Sequence, residues 1–593
     1  MGSFQRSRVT CSRGELPTMG THHRRRLPIV PLAALLSFAA AAPLWAQQGS
    51  GSGQVEQSTR PRADVDKHLN QEPPTINVQD RPELKRQDDS KVHFKLKALK
   101  ITGNVSFGTE ELHALVADLE GKEVSLADVR AAALKITMHY RSKGYGLSWA
   151  YIPEQRIADG DVEIAVIEAR IDRILVQGNT HYNTDFILDH VVGVQEQESF
   201  DLDTLERGLL SLNEYPGLSV SAKLSPGGAP GTSDLYLAVH DKYPINVSMD
   251  WDNFGAEEVA ENRIGLTVEA FNLFELGHWI SIRGIEGFGD GELQYISGSY
   301  NIPFANGMKL SVYGSNYNYE AAGTLVNFDP VGDGVTFGVT ASYPIIKTVA
   351  FTFSPEIGYE HKNLTQELFG IQTSDDRIRA LSVGARAELS DDWNGRWLGS
   401  AFLRFGLDGF AGGLESDDPD ASRLGAGGDF TRFNITVYRL QKLLSWVHVI
   451  GRFSYQYSAD PLVVSEQMSL GGPDSVRGYP SFEVMGDRGY NASIEARIKL
   501  PFLDEIWDPF NPQRTLIDMV QLAVFADVGE AELEQPGLGE EDSVRLSGAG
   551  VGLRVSYPGR LTFRFDVGWP TSSRDPSTDD EPTFYMNLIM NLF

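Results

Sequence analysis

The chain has 593 residues, with 52 lysines and arginines against 80 aspartates and glutamates, a formal net charge of -28. This charge argues against a nucleic-acid binder, which needs a basic surface to replace phosphate counterions. The single cysteine, Cys11, excludes a disulfide scaffold, a cysteine-ligated zinc site and an iron–sulfur cluster. The absence of long apolar runs excludes a bundle of membrane helices, but not a membrane barrel, whose alternating strands average out in a hydropathy window.

Residues 1–46 are predicted to be a secretory signal peptide. Three arginines, Arg24 to Arg26, precede an apolar stretch over 27–42, and the small residue Ala46 stands before Gln47. A basic start, a short apolar core and a small residue at the cleavage point are typical of such signals. A single membrane anchor is the weaker alternative, because prolines flank the stretch. We expect an exported, cysteine-free mature chain.

Residues 47–91 are predicted to form a linker. Gly, Ser, Gln, Pro and charged residues dominate here, beginning with the Gly-Ser run over 49–53. This composition lacks the apolar side chains that a packed domain buries. The sequence allows one short helix near 63–70.

A repeat of roughly 75 residues follows, in two copies over 92–169 and 170–243. The first strand of each copy ends in a Gly-Asn turn, at Gly103 and at Gly178. Each copy is predicted to continue with two helices and two strands. A two-copy repeat can be mere scaffold, but this order resembles the polypeptide-transport-associated (POTRA) domain.

From residue 246 to 593 the pattern changes to segments of about ten alternating residues between Gly, Asn, Asp and Pro clusters. About sixteen such segments occur, each long enough for a tilted strand to cross a bilayer. In one of them, Leu522 and Val524 share an apolar face while Phe525 and Asp527 share the other. We expect a mainly β chain: a C-terminal transmembrane antiparallel barrel preceded by two small α+β POTRA-like domains. A soluble β-sandwich, with shorter strands, is the alternative.

The predicted connections differ in length on the two sides of this barrel. With the first strand leaving the repeats on the inner side, connections after even strands are mostly short. Connections after odd strands are long and often acidic, as at 408–429 and 459–488. Short inner turns and long outer loops are typical of a bacterial outer-membrane barrel. The inner connection 501–518 is the exception.

Two motifs make the resemblance specific. The loop after the eleventh strand resembles the Val-Arg-Gly-Tyr/Phe motif in the sixth loop of the Omp85 superfamily, and the thirteenth strand resembles its Phe-x-Asp-x-Gly motif. The matching residues are Val476, Arg477, Gly478 and Tyr479 in the loop and Phe525, Asp527 and Gly529 in the strand. Two repeats, with Gly471 and Gly472 before the loop motif, look most like the TpsB transporters of two-partner secretion, the haemolysin secretion and activation type. The resemblance extends from about residue 92 to the end.

Arg477 is the central site residue of this interpretation, against the alternative of an ordinary solvated loop arginine. Asp527 and Glu495 share the lumen-facing parity of adjacent strands. A carboxylate inside a barrel attracts a guanidinium, which can donate two parallel hydrogen bonds to it. Gly478 would let the loop turn tightly inward. We expect Arg477 to fold into the lumen and pair with Asp527, with Glu495 nearby.

The resemblance implies a transporter that captures an unfolded, haemagglutinin- or haemolysin-like secreted partner in the periplasm and exports it through the barrel. It implies a monomer in outer-membrane lipid, inserted by the barrel-assembly machinery, with the POTRA-like domains in the periplasm. No nucleophile–base pair indicates an enzyme, and no histidine spacing indicates a metal or another cofactor. An Omp85-type assembly insertase is the alternative, although it predicts more repeats. A diffusion porin leaves the repeats unexplained.

Overall fold

The computed structural model describes residues 51–60, 74–78, 93–157, 159–229, 231–289, 291–321, 329–508, 511–537, 539–578 and 581–592. The predicted signal peptide, Cys11 and the helix predicted near 63–70 lie outside these ranges. Among the described residues, no helix combines the length and the apolar character needed to cross a bilayer.

Two small α+β domains, here called domain 1 and domain 2, precede the barrel. Domain 1 contains strands His93–Lys95, Ala98–Thr102, Glu123–Ser125, Trp149–Tyr151 and Asp161–Ile167 with helices Thr109–Ala114 and Leu126–Ser142. Domain 2 contains strands Arg170–Gln177, Leu218–Pro226 and Thr232–Asp241 with helices Thr184–Asp189 and Leu202–Leu212. Domain 1 has a three-stranded and a two-stranded sheet, and each domain packs its helices and strands around its own apolar core.

The Gly-Asn turns of the two repeats need glycine for space as well as for backbone conformation. Gly103 and Gly178 have φ values of 77° and 94°, in the left-handed region. A Cβ atom on Gly103 would lie 2.3 Å from the carbonyl oxygen of Val166, and one on Gly178 would lie 2.4 Å from that of Val239. The strand that ends in each Gly-Asn turn therefore closes against the last strand of its domain.

A carboxylate at the end of each domain's last strand holds the same turn. In domain 1, Glu168 accepts hydrogen bonds from the backbone N–H groups of Val105 and Ser106 at 2.7 and 2.8 Å. In domain 2, Asp241 accepts from the N–H groups of 180–182 at 2.7–3.1 Å. Burial raises the pKa of the Asp241 carboxyl, but these bonds and one from the Thr180 hydroxyl outweigh it and bring the pKa down to about 2.

Part of the segment predicted as a linker is ordered against the rest of the chain. Residues Ile76–Val78 form a strand that pairs in parallel with Leu218–Pro226, at the edge of the domain 2 sheet. Ile76 packs against the domain 2 core. Residues Ser52–Thr59 form a helix, here called the plug helix. The sequence predicts a linker with one short helix near 63–70, and it contains no sign of these two packed elements.

The C-terminal part is a closed antiparallel barrel of sixteen strands, which confirms the predicted fold class. Barrel strands 1–16 are Ile245–Asp252, Asn262–Leu273, His278–Phe288, Glu292–Pro303, Lys309–Glu320, Val331–Ser342, Phe351–Leu368, Ile371–Asp391, Gly395–Gly406, Thr431–Leu444, Val447–Ser458, Arg488–Lys499, Val520–Glu532, Ser543–Tyr557, Leu561–Pro570 and Thr583–Asn591. Strands 1 and 16 meet along a seam in which residues 248–252 pair with 587–591.

Domain 2 is seated under one side of the barrel. Gly277, in the inner turn after strand 2, lies close to the ring of Tyr215. A Cβ atom on Gly277 would be 2.4 Å from a carbon atom of that ring. Glu214 forms ion pairs of 2.6 Å with Lys309 and 2.8 Å with Lys347, near the inner turns after strands 4 and 6. Domain 2 is thus fixed to the inner turns between strands 2 and 7.

Candidate functional site in the barrel lumen

The outer loop after strand 11, residues 459–487, folds back into the lumen and is here called the latch loop. Its arms form a two-stranded sheet of Met468–Leu470 and Val484–Gly486. The buried side chains of Leu470, Val476 and Tyr479 pack in one apolar cluster with strands 13 and 14. This packing holds the tip of the loop against the inner barrel wall.

Arg477 lies at that tip and is 3 % exposed. Its Nε and Nη2 atoms donate to the two carboxylate oxygens of Asp527 at 2.7 and 2.9 Å, a bidentate contact. Nη1 donates to Glu495 at 2.6 Å. The guanidinium carbon also lies 3.4 Å from the centroid of the Phe525 ring. One arginine thus contacts Glu495 on strand 12, and Asp527 and the Phe525 ring on strand 13.

The carboxylates around Arg477 belong to a larger buried network. Glu495 also pairs with Arg497 at 2.8 Å and with Arg554 at 2.9 Å. Asp566 pairs with Arg554 at 2.7 Å and with Arg564 at 2.7 Å. Charges taken out of water are tolerated when each has partners of the opposite sign. The network supplies such partners for Glu495 and Asp566, and Arg477 completes it on the loop side.

Glycines on the inner wall form a seat for the loop tip. A Cβ atom on Gly548 would lie 1.8 Å from the carbonyl oxygen of Arg477, and one on Gly568 would lie 2.6 Å from the nitrogen of Gly478. Gly478 has a φ of 105°, which only glycine adopts readily. The Tyr585 hydroxyl accepts from the Gly478 N–H at 2.9 Å and donates to the Tyr479 carbonyl at 2.6 Å.

The structure brings the predicted site residues into one region of the lumen. Gly529 touches Val476, since a Cβ atom there would be 3.2 Å from the valine side chain. The Tyr479 hydroxyl lies 2.5 Å from that of Ser572. Sequence reasoning missed Tyr585, Asp566 and the glycine seat. The alternating glycines over 548–552, all on the lumen-facing parity, were the available sign of a close backbone approach.

A second buried charge cluster joins the latch loop to the plug helix. Glu466, in a 3-10 turn of the latch loop, is fully buried and pairs with Arg432 at 2.6 Å, Arg404 at 3.0 Å and Lys362 at 3.2 Å. Gln57 of the plug helix donates to the carbonyls of 464 and 467 at 2.9 and 3.0 Å. The turn is therefore held between the barrel wall and the plug helix.

The plug helix itself fits closely into the lumen. Gly53 packs against the backbone of the latch loop, where a Cβ atom would lie 2.5 Å from the nitrogen of Ser465. The Tyr317 hydroxyl of strand 5 donates to the carbonyl of Ser52 at 2.6 Å. Val55 is 1 % exposed. Within the described residues, no group of side chains could hold a metal ion.

Comparison with known proteins decides the family. The family model of haemolysin secretion/activation proteins (ShlB/FhaC/HecB) matches residues 231–555, more than half of the chain. The model of the ShlB-type POTRA domain matches residues 94–169. The chain belongs to the haemolysin secretion/activation family. Members of this family are transporters, not enzymes.

Individual relatives agree with this assignment. The heme/hemopexin transporter protein HuxB of Haemophilus influenzae is 24% identical over 513 residues, which cover 84% of this chain and 87% of that protein. The outer membrane transporter CdiB of Dickeya dadantii is 22% identical, over 81% and 83%. The solved structure of CdiB from Escherichia coli has the same fold, with a TM-score of 0.71 at 19% identity over 95% and 100% of the two chains. The present chain is therefore an outer-membrane transporter of two-partner secretion. Its POTRA domains lie in the periplasm, and it serves a secreted partner protein.

Proposed function

We propose that this transporter captures its secreted partner in unfolded form at the POTRA domains and exports it through the barrel lumen. The observation that carries the proposal is the filling of the lumen. The plug helix and the latch loop occupy it, and neither belongs to the barrel wall. A diffusion porin keeps a water-filled channel. In this barrel a pore opens only when the plug helix and the latch loop, which are anchored by side-chain contacts, move.

Domain 1 offers the place for capture. Strand Trp149–Tyr151 stands at the edge of its three-stranded sheet. An extended peptide can add to a sheet edge through main-chain hydrogen bonds. Beside this strand packs the helix Leu126–Ser142, on which Leu134 and Met138 are 58% and 56% exposed. These apolar side chains suit a partner that has not yet buried its own. The matching edge of domain 2 is covered by Ile76–Val78.

The latch supplies the closed state. Docking of Arg477 on Asp527 and Glu495 holds the loop tip, and the Glu466 turn connects that loop to the plug helix. Capture of the partner would be followed by movement of both segments, and folding of the partner outside the cell would prevent its return. We assign the loop residues Val476–Tyr479 and the strand residues around Asp527 to this closure and to no chemical step.

The insertase alternative uses the barrel differently, because an inserted client leaves sideways through an opened seam. Strands 1 and 16 pair over residues 248–252, so the seam is closed. We assign assembly of this barrel in outer-membrane lipid to the cell's barrel-assembly machinery and expect it to work as a monomer.

The test compares the proteins secreted by three strains: one lacking the transporter, one with the full chain, and one with residues 92–169 deleted. The full chain is expected to restore secretion of one large protein, and the deletion is expected not to. Heat-modifiable electrophoretic mobility of the deleted protein in the outer membrane is the control for an intact barrel. Normal secretion by the deleted chain would contradict capture and favour a porin.

A further inference from the structure

The lumen contains a cavity of about 340 Å³ beside barrel strands 10–12. Its wall is lined by neutral hydrogen-bonding side chains from three adjacent strands. These residues, here called the polar ladder, are Asn434, Thr436, Ser454, Gln456 and Asn491. The end of the plug helix and residues 467–475 of the latch loop close the cavity on its other sides.

The polar ladder is built from cross-strand pairs. Asn434 donates to Gln456 at 2.8 Å, and the hydroxyls of Thr436 and Ser454 lie 3.3 Å apart. Both pairs are directly opposite in the register of strands 10 and 11. Residues two apart on a strand face the same side at a spacing of roughly 6.8 Å. Successive rungs thus present amides and hydroxyls in the direction in which a chain would cross the membrane.

The plug helix, the latch tip and domain 2 are attached at other places on the barrel. Within the ladder, Gln456 donates to the latch-loop carbonyls of Glu466 and Asp487 at 3.0 and 3.2 Å. The plug helix lies against strand 5, through Tyr317, and the latch tip lies against strands 12 and 13, through Arg477. Domain 2 is fixed to the inner turns between strands 2 and 7. Strands 10 and 11 stand across the sixteen-stranded barrel from those turns. The inner mouth below the polar ladder is therefore the side away from the seat of domain 2.

We propose that the exported chain crosses the barrel along the polar ladder, an inference that rests on the transport function proposed above. A passing chain must be held well enough to enter and weakly enough to leave. Neutral amides and hydroxyls meet both needs, because they exchange hydrogen bonds with backbone groups or with water at little net gain. An apolar wall would retain the apolar side chains of an unfolded protein, and an unpaired charge would retain the opposite charge.

The charged side chains on and beside the ladder have bonding partners in the protein. On one side Glu466 is paired with Arg404 and Arg432. On the other side Arg477 is paired with Asp527.

Arg60 and Asp474, which also line the cavity, pair with Glu56 at 2.6 Å and with Arg564 at 3.2 Å. Arg452, two residues from Ser454 on the same face of strand 11, donates to the ladder residue Asn491 at 2.9 Å. The ladder thus joins neutral side chains to charges that are each held by a hydrogen-bonding partner.

The chain's single cysteine makes a crosslinking test clean. In a Cys11→Ser background, single cysteines replace Ser454 on the ladder and Ser297 on the opposite wall. Ser297 faces the lumen, because it is paired in register with Arg283, whose side chain contacts the lumen residue Asp250. The two serines lie at similar depth: Ser297 is six residues from the inner end of its strand, and Ser454 is seven residues from the inner end of its own. The probe is the large secreted protein identified by the strain comparison, fused to a stably folded domain that stalls it. A photoreactive maleimide on each cysteine reports the polypeptide beside it.

We expect the stalled protein to crosslink to Ser454→Cys severalfold more than to Ser297→Cys. The proposed route would be overturned by equal crosslinking at the two positions or by stronger crosslinking at Ser297→Cys. It would also be overturned if neither position crosslinked while secretion was normal. The transport function would survive those outcomes, because secretion itself is scored separately.

A charge substitution gives a second readout that needs no crosslinker. Ser454→Arg is expected to slow secretion strongly, and Ser297→Arg to slow it little, at equal amounts of heat-modifiable barrel. The reverse order would overturn the proposed route. If Ser454→Arg lowers the amount of barrel, a second variant replaces it: Ser454→Lys combined with Thr436→Glu. The two new charges lie on the same cross-strand pair and cancel, so this variant should secrete normally.

Discussion

Arg477 makes three kinds of contact at once, and each limits what can replace it. The bidentate bond to Asp527 needs a planar fork of donors, the bond to Glu495 needs a third donor, and the stacking on Phe525 needs a flat cation. Lysine offers one point charge. The residue therefore works through geometry as much as through charge.

A double-mutant cycle tests this pairing. Truncating either partner of a buried pair leaves the other charge without compensation and costs on the order of 3–5 kcal/mol. We expect Arg477→Ala and Asp527→Ala each to lower secretion strongly at unchanged barrel amounts, with non-additive effects in the double variant. Arg477→Lys should recover only part of the activity. Arg488→Ala is the matched control, because the half-buried Arg488 at the base of the latch loop pairs with Glu532, away from the Arg477 network. Fully additive effects of Arg477→Ala and Asp527→Ala would refute the pairing.

The glycine seat predicts a steric way to release the same loop. Gly548→Val places a side chain where the Arg477 carbonyl lies, and overpacking of this kind costs at least about 1–3 kcal/mol. We expect the loop tip to leave its seat, which limited proteolysis of the latch loop reports as faster cleavage. Gly284→Ala is the control, because a Cβ atom there meets no atom within 4 Å. Unchanged proteolysis of Gly548→Val would show that the seat does not hold the tip.

Sequence reasoning reached some of these contacts for a physical reason. The side-chain period of a strand is two, so the lumen-facing parity of Asp527 and Glu495 follows once the apolar face is known. Tyr585 and Gly548 meet the loop only because of the path it takes through the lumen. That path depends on tertiary packing between distant segments, and no local pattern contains it.

At the scale of elements, the plug helix is likewise a feature that no local sequence pattern predicts. Its residues carry a linker-like composition, and an isolated helix of eight residues is marginal in water. It forms because barrel and latch-loop groups hold it, through Tyr317 and the carbonyls that Gln57 reaches. The sixteen strands, in contrast, were predictable, because each carries its own alternation.

The close fit of Gly53 predicts how the plug can be displaced. Gly53→Val would clash with the backbone at Ser465, which cannot move without disturbing Glu466. We expect a higher single-channel conductance in planar bilayers than for the wild type. Ser58→Ala, a smaller change on the same helix, should conduct like the wild type. An unchanged conductance for Gly53→Val would mean that the helix does not block the pore.

The seam between strands 1 and 16 distinguishes export through the lumen from sideways release through an opened barrel wall. Met249 and Met590 are directly paired across it, and paired residues bring their Cβ atoms to about 4.5–5.5 Å. A disulfide between Met249→Cys and Met590→Cys should therefore lock the seam. If export runs through the lumen, oxidation leaves secretion intact, with the reduced protein as the control. Loss of secretion on oxidation, recovered by reductant, would favour lateral opening.

For the whole molecule, domain 2 and the barrel are expected to respond differently to acid, so no single unfolding transition describes the chain. The low pKa of Asp241, about 2, lies below the value of about 3.9 for an unfolded chain. Its stabilisation is thus complete above about pH 4 and is lost as the pH falls toward 2.

Asp241→Asn tests this linkage. We expect domain 2 of the variant to be less stable at neutral pH and to lose less stability between pH 4 and pH 2, as measured by hydrogen exchange of the 180–182 amides. Heat-modifiable mobility reports the barrel in the same samples, and Asp189→Asn controls for removal of one charge. An acid response equal to the wild type would contradict the role of Asp241.

The plug helix brings both members of an ion pair into the lumen, because Glu56 and Arg60 lie one turn apart with their charged atoms at 2.6 Å. Its departure removes one charge of each sign, and Lys362 keeps the carboxylates of Glu360 and Glu466 at 3.6 and 3.2 Å. No charge is stranded on either side of the separation. Since dissolved ions screen mainly charges that are pulled apart in water, release of the plug helix should be nearly independent of ionic strength. Release of the latch loop separates Arg477 from Asp527 and should instead become easier as the salt concentration rises.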